Sequence, residues 1–422
     1  PTSRTPSPRR LSDAAKDITP LIGMTSVSYA YPRLPVTRLQ GRQHFNMTPP
    51  FSYRVGGSLA WNDPTYVGRQ ADRALMGALQ QGDFAYVLGP RQIGKSSLRI
   101  QTRHRLTQLG YQCVTIHANQ LTDSLQAGGD APWHMGLICA IWEGLYSSYS
   151  GEFLRWVQST AGLDEGSEKG VSRLERLENF VQTFLIEALE RAAVVIFIDE
   201  VDALLDSPFA YDFLAWIERC YGRRVTEPAF RNLNFAVFGT AVADDFPCYR
   251  SLFAMGREIA IEPFTLVETY DLYQGFEGKL DEPTTLLKSI YRWAKGQPFL
   301  TQKLCQLLRD LLDSLIQTDC APLALSTGTI NHWVDESVRS HIIQDWPDKD
   351  DPVHLRAIRD RINHSSNRKA LLTLYKQVLL SSPVPFRGSY TQTELLLSGL
   401  VIVQSGQLVI ANNIYHRVFA LR

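Results

Sequence analysis

Residues 84–109 place a glycine-containing loop between a strand pattern and a helix pattern. The loop matches G-x-x-x-x-G-K-[ST] and reads Gly89-Pro90-Arg91-Gln92-Ile93-Gly94-Lys95-Ser96. The run 84–88 before it is apolar and β-prone, and residues 97–109 after it space their apolar side chains like a helix. In this context successive backbone N–H groups and the N-terminus of the helix favour a chain of phosphates. The segment therefore predicts a site for a nucleoside triphosphate.

Two side chains of the loop have separate predicted roles. Lys95 is long enough to reach the β- and γ-phosphates, and the Ser96 hydroxyl is placed to ligate Mg²⁺. We predict that ATP or ADP is held with Mg²⁺ by all eight loop residues and by Ser97, which follows them in the sequence.

A buried strand followed by acids supplies the second half of the predicted site. Residues 194–198 form a continuous β-branched and apolar run, as expected of a strand buried on both faces, and Asp199 and Glu200 follow it. At the carboxyl end of this strand Asp199 is predicted to hold Mg²⁺ and Glu200 to polarise the attacking water. Asp202 is predicted to be a helix cap or a surface acid.

A polar residue and four arginines complete the candidates on this side. The predicted strand 233–238 ends in Gly239 and Thr240, and Thr240 is a candidate contact for the γ-phosphate or the water. One arginine between the two strands could reach the phosphate of a neighbouring copy, and an exposed solvated face explains them equally well. The four are Arg219, Arg223, Arg224 and Arg231.

Strand and helix patterns alternate from residue 70 to residue 263, which predicts a parallel three-layer α/β sheet. Besides the segments named above, strands are predicted at 113–116 and 258–261 and helices at 70–81, 133–147, 174–191 and 212–221. After Pro263 the strand patterns stop, and helix patterns broken by prolines continue to residue 363. Helices at 370–380 and 392–397 and a hairpin at 401–410 then suggest a winged helix.

The predicted order of domains follows from these patterns. Residues 1–50 are rich in Pro, Ser, Thr and Arg and are predicted to be a disordered or loosely attached leader. Residues 51–263 form the predicted P-loop ATPase α/β domain, 264–365 a helical lid and 366–422 the winged helix. The sequence leaves open whether Met47 is the true start.

The composition excludes several classes of protein. Lys plus Arg and Asp plus Glu are equal at 43 each, so the overall charge does not favour nucleic acid or an anionic membrane as the partner. The six cysteines show no C-x-x-C pair, which predicts buried reduced thiols instead of a metal site or disulfides. Since neither a transmembrane run nor a signal peptide is evident, a cytoplasmic protein is predicted.

With these motifs placed, the chain resembles the AAA+/STAND class of P-loop ATPases. Residues 66–70 (Tyr-Val-Gly-Arg-Gln) look like the motif that this class places near the base, with Gly68 and Arg69 matching and Gln70 standing where Glu is usual. Residues 296–300 (Gly-Gln-Pro-Phe-Leu) look like its Gly-x-Pro motif. The resemblance implies that Pro298 packs on adenine while Gly296 allows a close backbone approach.

The stretch from about residue 56 to residue 419 is similar to the AAA-like ATPase domains common in cyanobacteria. Residues 197–200, 296–304 and 412–415 look typical of these domains. Members of the STAND class often sense the β-phosphate with a winged-helix histidine. His416 is the only histidine near the expected place, and its surroundings do not match the usual motif.

The function predicted first is a regulated ATPase that changes conformation, and with it self-association, according to the bound nucleotide. A protein partner is expected, and the sequence does not identify it. One alternative is a DNA-associated AAA+ ATPase that uses the winged helix on DNA, although residues 390–400 carry one acid and no base. A second alternative is a nucleotide-locked scaffold with little hydrolysis, against which Glu200 argues.

Overall fold

The computed structural model describes residues 51–126, 133–146, 148–160, 172–205, 207, 209–246, 250–315, 325–380 and 383–420. The predicted leader at 1–50 lies outside these residues. All elements below belong to the described part of the chain.

The first half alternates strands and helices in the predicted order. The strands are β1 Ala85–Leu88, β2 Gln112–His117, β3 Val194–Asp199, β4 Leu233–Gly239 and β5 Arg257–Glu258. The α-helices are α1 Gln70–Gln80, α2 Lys95–Gln108, α3 Ala118–Gln126, α4 Trp133–Leu145, α5 Gly151–Thr160, α6 Arg173–Phe180, α7 Ile186–Arg191, α8 Ala210–Arg223 and α9 Arg250–Met255. A π-helical turn, Val181–Leu185, joins α6 to α7, so the predicted helix at 174–191 is continuous.

Five strands form one sheet in the order β2-β3-β4-β1-β5. Strand β1 pairs in parallel with β4, with Leu88 opposite Gly239, and in parallel with β5. All six residues of β3 and all seven of β4 are buried, as predicted for strands covered on both faces. The fold is therefore the predicted α/β P-loop NTPase fold with a parallel sheet.

The second half is helical up to a C-terminal hairpin. A 3₁₀ segment, Glu268–Phe276, is followed by α10 Pro283–Ala294, α11 Pro298–Leu315, α12 Thr327–Val338, α13 Trp346–Lys349, α14 Leu355–His364, α15 Arg368–Leu379 and α16 Tyr390–Leu397. The antiparallel hairpin of β6 Val401–Gln404 and β7 Gln407–Ile410 precedes α17 Asn413–Val418. The predicted helices and hairpin are present, while the name winged helix stays a prediction.

The described chain forms two compact units. The first comprises residues 111–198 and 203–233, and its core is aromatic, with Trp142 stacked on Phe153 at 4.0 Å between ring centroids. The second comprises 51–110, 199–202 and 234–420 and contains every predicted nucleotide contact. Its helical part has its own apolar core, in which Leu286, Leu304 and Val334 are fully buried. The predicted domains, 51–263, 264–365 and 366–422, divide the chain differently from these two units, and their boundaries stay a prediction.

The structure departs from the predicted elements in small ways. Strand β5 is two residues long and begins at Arg257, where four residues from Glu258 were predicted. Helices α3, α5, α9 and α17 were not predicted, because short segments give too few turns for a clear period. The described residues contain Cys113, Cys139, Cys220 and Cys305, which are all buried and not in disulfides, as predicted.

Candidate functional site

The phosphate-type loop joins β1 to α2, as its sequence predicts. Gly94 has φ +94°, and a Cβ there would lie 2.7 Å from Nη2 of Arg69, so this position needs glycine. Gln92 also adopts left-handed φ, at +58°, which is uncommon for a residue with a side chain. The loop starts beside the end of β4, where the N–H of Gly89 donates to the carbonyl of Gly239 at 3.1 Å.

Lys95 folds back onto the loop. Its Nζ donates to the carbonyl oxygens of Gly89 at 2.8 Å and Pro90 at 2.6 Å, and to Oγ1 of Thr240 at 3.3 Å. Burial lowers the pKa of Lys95 to about 8, although the nearby carboxylates of Asp202 and Asp199 act to raise it. A largely desolvated ammonium that has only neutral acceptors gains from an anionic one, so its surroundings fit a phosphate oxygen.

The acid at the end of β3 is already paired. Oδ2 of Asp199 accepts a 2.9 Å hydrogen bond from Nε of Arg99 on α2, and both side chains are buried. Its Oδ1 accepts the N–H of Glu200 at 3.1 Å. Each carboxylate oxygen has a second lone pair, so Asp199 fits a water-mediated contact to Mg²⁺ beside Ser96 while the Arg99 pair persists.

Glu200 follows in an unusual backbone conformation. Its φ is +60°, and its side chain is exposed at the tip of β3. A non-glycine residue in this region costs of order 1–3 kcal/mol and is common at functional sites. The turn therefore directs the predicted general base away from the core.

Asp202 has a different position from the one predicted. It lies half-buried in the 3₁₀ turn Val201–Leu204, and its Oδ1 accepts the N–H of Thr240 at 2.7 Å. A Cβ on Gly239 would approach that oxygen to 2.8 Å. Asp202 therefore fixes the end of β4, and with it Thr240, instead of serving as a surface acid.

Gly68 and Arg69 lie on the other side of the loop. Arg69 is buried, and its Nη1 donates to the carbonyl of Ile93 at 2.8 Å and to that of Glu262 at 3.2 Å. Burial lowers the pKa of Arg69, and the neighbouring Tyr66 and Asp72 act to raise it. Gly68 is exposed, and a Cβ there would meet nothing within 4 Å. Arg69 is thus a support for the loop backbone, and Gly68 leaves the space beside it open.

Pro298 and Gly296 meet this same region. Pro298 is the first residue of α11 and lines a cavity of about 80 Å³ together with Arg69, Gly94 and Ser97. Gly296 has φ +75°, and a Cβ there would lie 1.8 Å from the carbonyl oxygen of Phe264. The close approach predicted for Gly296 is therefore made to the protein's own backbone.

A second cavity, of about 740 Å³, also borders the loop. Its walls are loop residues 89–93, residues 241–243 after β4, helix α14 and residues 396–403. Arg361 of α14 lines it, and the guanidinium groups of Arg361 and Arg91 act to lower the pKa of Lys95. Burial lowers the pKa of Arg361, and the charge of Arg91 adds to this effect. Arg91 and Arg361 line this cavity, and their charges also act on the nearby Lys95. Cations that disfavour one another at one place favour an anionic ligand.

Gln92 connects the loop to the C-terminal helices. Its Nε2 donates to the carbonyl of Val353 at 3.1 Å, so its Oε1 is left to accept a hydrogen bond from Nδ1 of His354. Nε2 of His354 then accepts the hydroxyl proton of Tyr415, at 2.6 Å. Burial lowers the pKa of His354 to about 3, despite the opposing charge of Asp350, so the ring is neutral. We call Gln92, His354 and Tyr415 the loop–helix triad.

The triad is held from several sides. The ring of His354 stacks on that of Phe299 with 4.4 Å between centroids. Buried Asp350 caps α14 by accepting the N–H groups of His354 and Leu355, both at 3.0 Å. Gln297 donates to the carbonyl of Gln92 at 3.2 Å. The position of the loop is therefore coupled to the packing of α11, α14 and α17.

The remaining candidates lie elsewhere. His416 is exposed on α17 and does not line either cavity, whereas the preceding residue, Tyr415, lines the larger one. The four arginines considered for contact with the phosphate of a neighbouring copy have local partners. Arg219 pairs with Glu178 and Arg223 with Glu227, Arg224 donates to the carbonyl of Phe230, and Arg231 donates to that of Arg224. Their action on a neighbouring copy stays a prediction.

Sequence reasoning missed Arg99, His354, Arg361 and Tyr415. Each belongs to an ordinary helix pattern, and only the fold brings it to the loop. Arg99 alone had a local signal, because it lies one turn after Lys95 on the helix that leaves the loop.

Sequence comparison agrees with this geometry. The sequence model of the AAA-like domain family matches residues 55–321, which include the loop, the acidic strand end and Pro298. The chain belongs to this AAA-like family of P-loop ATPases. A relative with a similar sequence is a WD repeat-containing protein of Synechocystis, 36% identical over 378 residues that make up 89% of this chain. The chain spans only 30% of the length of that relative.

Two solved structures are similar to this AAA-like chain at lower identity. A Walker-type ATPase of Pyrococcus abyssi is 16% identical with a TM-score of 0.49, over 87% of this chain and 99% of that one. A chain from the Drosophila ORC bound to DNA is 14% identical with a TM-score of 0.44, over 97% of this chain and 100% of that one. TM-scores of this size add nothing to the fold described above.

Two kinds of feature are absent from the described residues. None of their helices combines the length and the apolarity needed to cross a membrane. They also contain no group of three or more His, Cys, Asp or Glu side chains arranged to hold a metal ion.

Proposed function

We propose that this AAA-like protein binds ATP and Mg²⁺ at the loop, hydrolyses the ATP, and changes the packing of its C-terminal helices with the nucleotide state. The observation that carries the proposal is the loop–helix triad. Gln92 belongs to the loop that would surround the phosphates, and its side chain is bonded to His354 and through it to Tyr415. Movement of the loop on nucleotide binding would therefore act on the contact that joins Gln92 to His354 and Tyr415, and through it on α14 and α17.

The phosphates would replace neutral acceptors around Lys95. Its Nζ now donates to two loop carbonyls, and a phosphate oxygen is a stronger, charged acceptor. Arg361 and Arg91 add positive charge at the flank of the loop, where the terminal phosphate would extend. Mg²⁺ held beside Ser96, with Asp199 contacting it through water, would neutralise part of the phosphate charge.

Hydrolysis would use Glu200 and Thr240. The carboxylate of Glu200 is exposed and accepts no hydrogen bond from the described residues, so it can hold and polarise a water. The backbone N–H of Thr240 is bonded to Asp202 and its hydroxyl to Lys95. In this proposal the hydroxyl would lie next to the terminal phosphate. Arg361 is our candidate for stabilising the charge that develops there.

The base would lie on the side of the smaller cavity. Pro298, Arg69 and Gly94 meet there, and Gly68 precedes Arg69 with open space beside it. A base in contact with Pro298 would tie nucleotide binding to α11, whose next residue Phe299 stacks on His354. The base and the phosphates would thus act on the same histidine from two sides.

The finer predictions about partners rest on this proposal. A change of packing at α14 and α17 would expose or cover surface, so we propose nucleotide-dependent self-association. The same step could instead regulate a different protein. Helix α16 carries Glu394 and no basic residue, so its charge gives no support to DNA binding through that helix.

The proposal is tested by titrating Mg-ATP and Mg-ADP into the wild-type chain and into Lys95→Ala by isothermal calorimetry. Lys288→Ala is the matched control, because Lys288 is exposed on α10. We expect saturable binding to wild type and to the control, and a loss of at least about tenfold in Lys95→Ala. Equal affinity in all three proteins would show that the phosphates do not bind at the loop.

A further inference from the structure

Gln302 carries a buried acceptor that has no partner. It lies on the second turn of α11, is 5% exposed, and lines the smaller cavity with Pro298 and Arg69. Its Nε2 donates to the carbonyl of Thr65 at 2.8 Å. Its Oε1 is buried without a hydrogen bond in the described residues.

The orientation of this amide is fixed by its neighbour. A carbonyl oxygen only accepts, so the NH₂ group of Gln302 must face Thr65, and the oxygen must point the other way. An amide flip would place two acceptors against each other. Buried polar atoms in native proteins nearly always have partners, so an unpaired oxygen at a cavity points to a ligand that donates.

The other polar side chains considered at the cavity, those of Tyr66, Ser97 and Arg69, do not offer a second unpaired acceptor like Oε1 of Gln302. The Tyr66 hydroxyl donates to Asp72 at 2.8 Å, and Oγ of Ser97 accepts the N–H of Leu59 at 3.0 Å. Nε of Arg69 is also buried and unpaired among the described residues, but it is a donor. Purine bases share ring nitrogens that accept hydrogen bonds, so Arg69 would not tell one purine from another.

We propose that Oε1 of Gln302 accepts a hydrogen bond from the 6-amino group of the bound base and so makes the site selective for adenine nucleotides. The proposal rests on the proposed function, because it assumes that a nucleotide binds at the loop. Adenine carries an amino donor at position 6, whereas guanine carries a carbonyl acceptor there. A guanine base in the same orientation would set its oxygen against Oε1 and leave both acceptors unpaired.

The cavity must widen to admit a base. Its volume of about 80 Å³ is below the ~300–1,000 Å³ of a formed ligand pocket. One wall is the segment that contains Arg54, Gly56, Gly57 and Leu59. Because the bond from Leu59 to Ser97 is one of its attachments, outward movement of this segment is the step that we expect to accompany binding.

The main comparison of the test uses two ligands that differ only at position 6. Competition binding to the wild-type chain compares Mg-ATP with the triphosphate of purine riboside, which lacks the amino group, and Mg-GTP serves as a further competitor. We expect ATP to bind about 10- to 100-fold more tightly than the purine riboside analogue, and GTP to bind no better than that analogue. This comparison needs no variant, so it is independent of folding defects.

A variant of Gln302 distinguishes direct contact with the base from a structural role of this residue in the fold. Gln302→Met keeps the length of the side chain and removes the acceptor, so the ratio of ATP to analogue affinity should fall to near one. Loss of the bond to Thr65 alone would weaken both ligands equally and leave the ratio unchanged. The control is Thr301→Val, since Thr301 is also buried with an unpaired hydroxyl among the described residues but does not line the cavity, and its ratio should match wild type.

Each outcome bears on one proposal or on both. Equal wild-type affinity for ATP and the analogue overturns the role of Gln302 and leaves nucleotide binding at the loop intact. A ratio that persists in Gln302→Met assigns the amino group to another residue and also overturns the role. If none of the triphosphates binds wild type, the proposed function fails, and this inference fails with it.

Discussion

Arg99 and Asp199 form a buried ion pair, with 2.9 Å between Nε of the arginine and Oδ2 of the aspartate. Arg99 lies one turn after Lys95 on α2, and Asp199 ends β3. The pair therefore fixes the acid of the predicted Mg²⁺ site to the helix that carries the phosphate lysine. It also means that a metal ion near Asp199 must share that carboxylate with a guanidinium group.

We expect Arg99→Met to lower the free energy of unfolding by about 3–5 kcal/mol, because it leaves a buried carboxylate without its partner. Arg103→Met on the exposed side of the same helix is the control and should change it by less than about 0.5 kcal/mol. Urea denaturation of both variants measures the difference. The double variant Arg99→Met/Asp199→Asn should be more stable than Arg99→Met alone, and a double variant that is less stable would show that the pair is not the cause.

Gly296→Ala should destabilise the fold even without nucleotide. A Cβ would lie 1.8 Å from the backbone oxygen of Phe264, whose N–H is held by the carbonyl of Gly296 at 2.8 Å. We expect a loss of more than about 3 kcal/mol in the free energy of unfolding. Gly57→Ala is the matched control, because its φ of +70° is similar and a Cβ there meets nothing within 4 Å, so only about 1–2 kcal/mol of backbone strain is expected. Similar melting temperatures for the two variants would contradict the close approach seen at Gly296.

Nucleotide affinity should fall as the pH rises above 8. The free protein holds Lys95 with a pKa of about 8, and a bound phosphate favours the protonated amine, so binding takes up a proton once the pH exceeds that value. We expect the affinity for Mg-ADP to drop by up to about tenfold per unit between about pH 8 and pH 9.5. Lys95→Arg stays charged throughout and should show a flat profile. A wild-type profile as flat as that of the arginine variant would show that Lys95 takes up no proton when the nucleotide binds.

The stability of the protein should fall in acid partly through His354. Its folded pKa is about 3 while the unfolded value is near 6.5, so between these values the unfolded chain binds a proton that the native state does not. The free energy of unfolding should therefore fall with decreasing pH below about 6.5, by up to about 1.4 kcal/mol per unit from this residue. His354→Gln should unfold more easily at neutral pH but lose less stability between about pH 6.5 and pH 4.5. Parallel curves for the two proteins would mean that His354 is protonated in the native state.

Glu200→Gln should bind Mg-ATP normally and hydrolyse it about 10²–10⁴ times more slowly. The substitution keeps the size of the side chain and removes the basic oxygen. Single-turnover measurement under saturating enzyme is the appropriate assay, because product release could limit the steady state. Unchanged turnover would assign the general base to another residue, and negligible turnover in wild type would favour a nucleotide-locked scaffold.

The sequence was sufficient for those parts of the fold and site that depend on neighbours along the chain. The loop, β3 with Asp199 and Glu200, and the start of α11 at Pro298 follow from local patterns, and the structure has them at these places. Arg361, Gln302 and His354 could not be predicted, because nothing in a helix pattern says which polar residue faces a distant loop. His416 was chosen by its position near the C-terminus, but the buried histidine that meets the loop comes 62 residues earlier, at His354.

The most direct test of the central claim is hydrogen–deuterium exchange with no nucleotide, with Mg-ADP and, in Glu200→Gln, with Mg-ATP. The loop–helix triad predicts that nucleotide alters the exchange of loop residues together with that of α14 near His354 and of α17 around Tyr415. In Tyr415→Phe, which removes the hydroxyl bonded to His354, the change at α17 should shrink while that at the loop remains. Exchange that changes at the loop and α2 alone, with α14 and α17 unaffected by any nucleotide, would contradict a switch that acts through this contact.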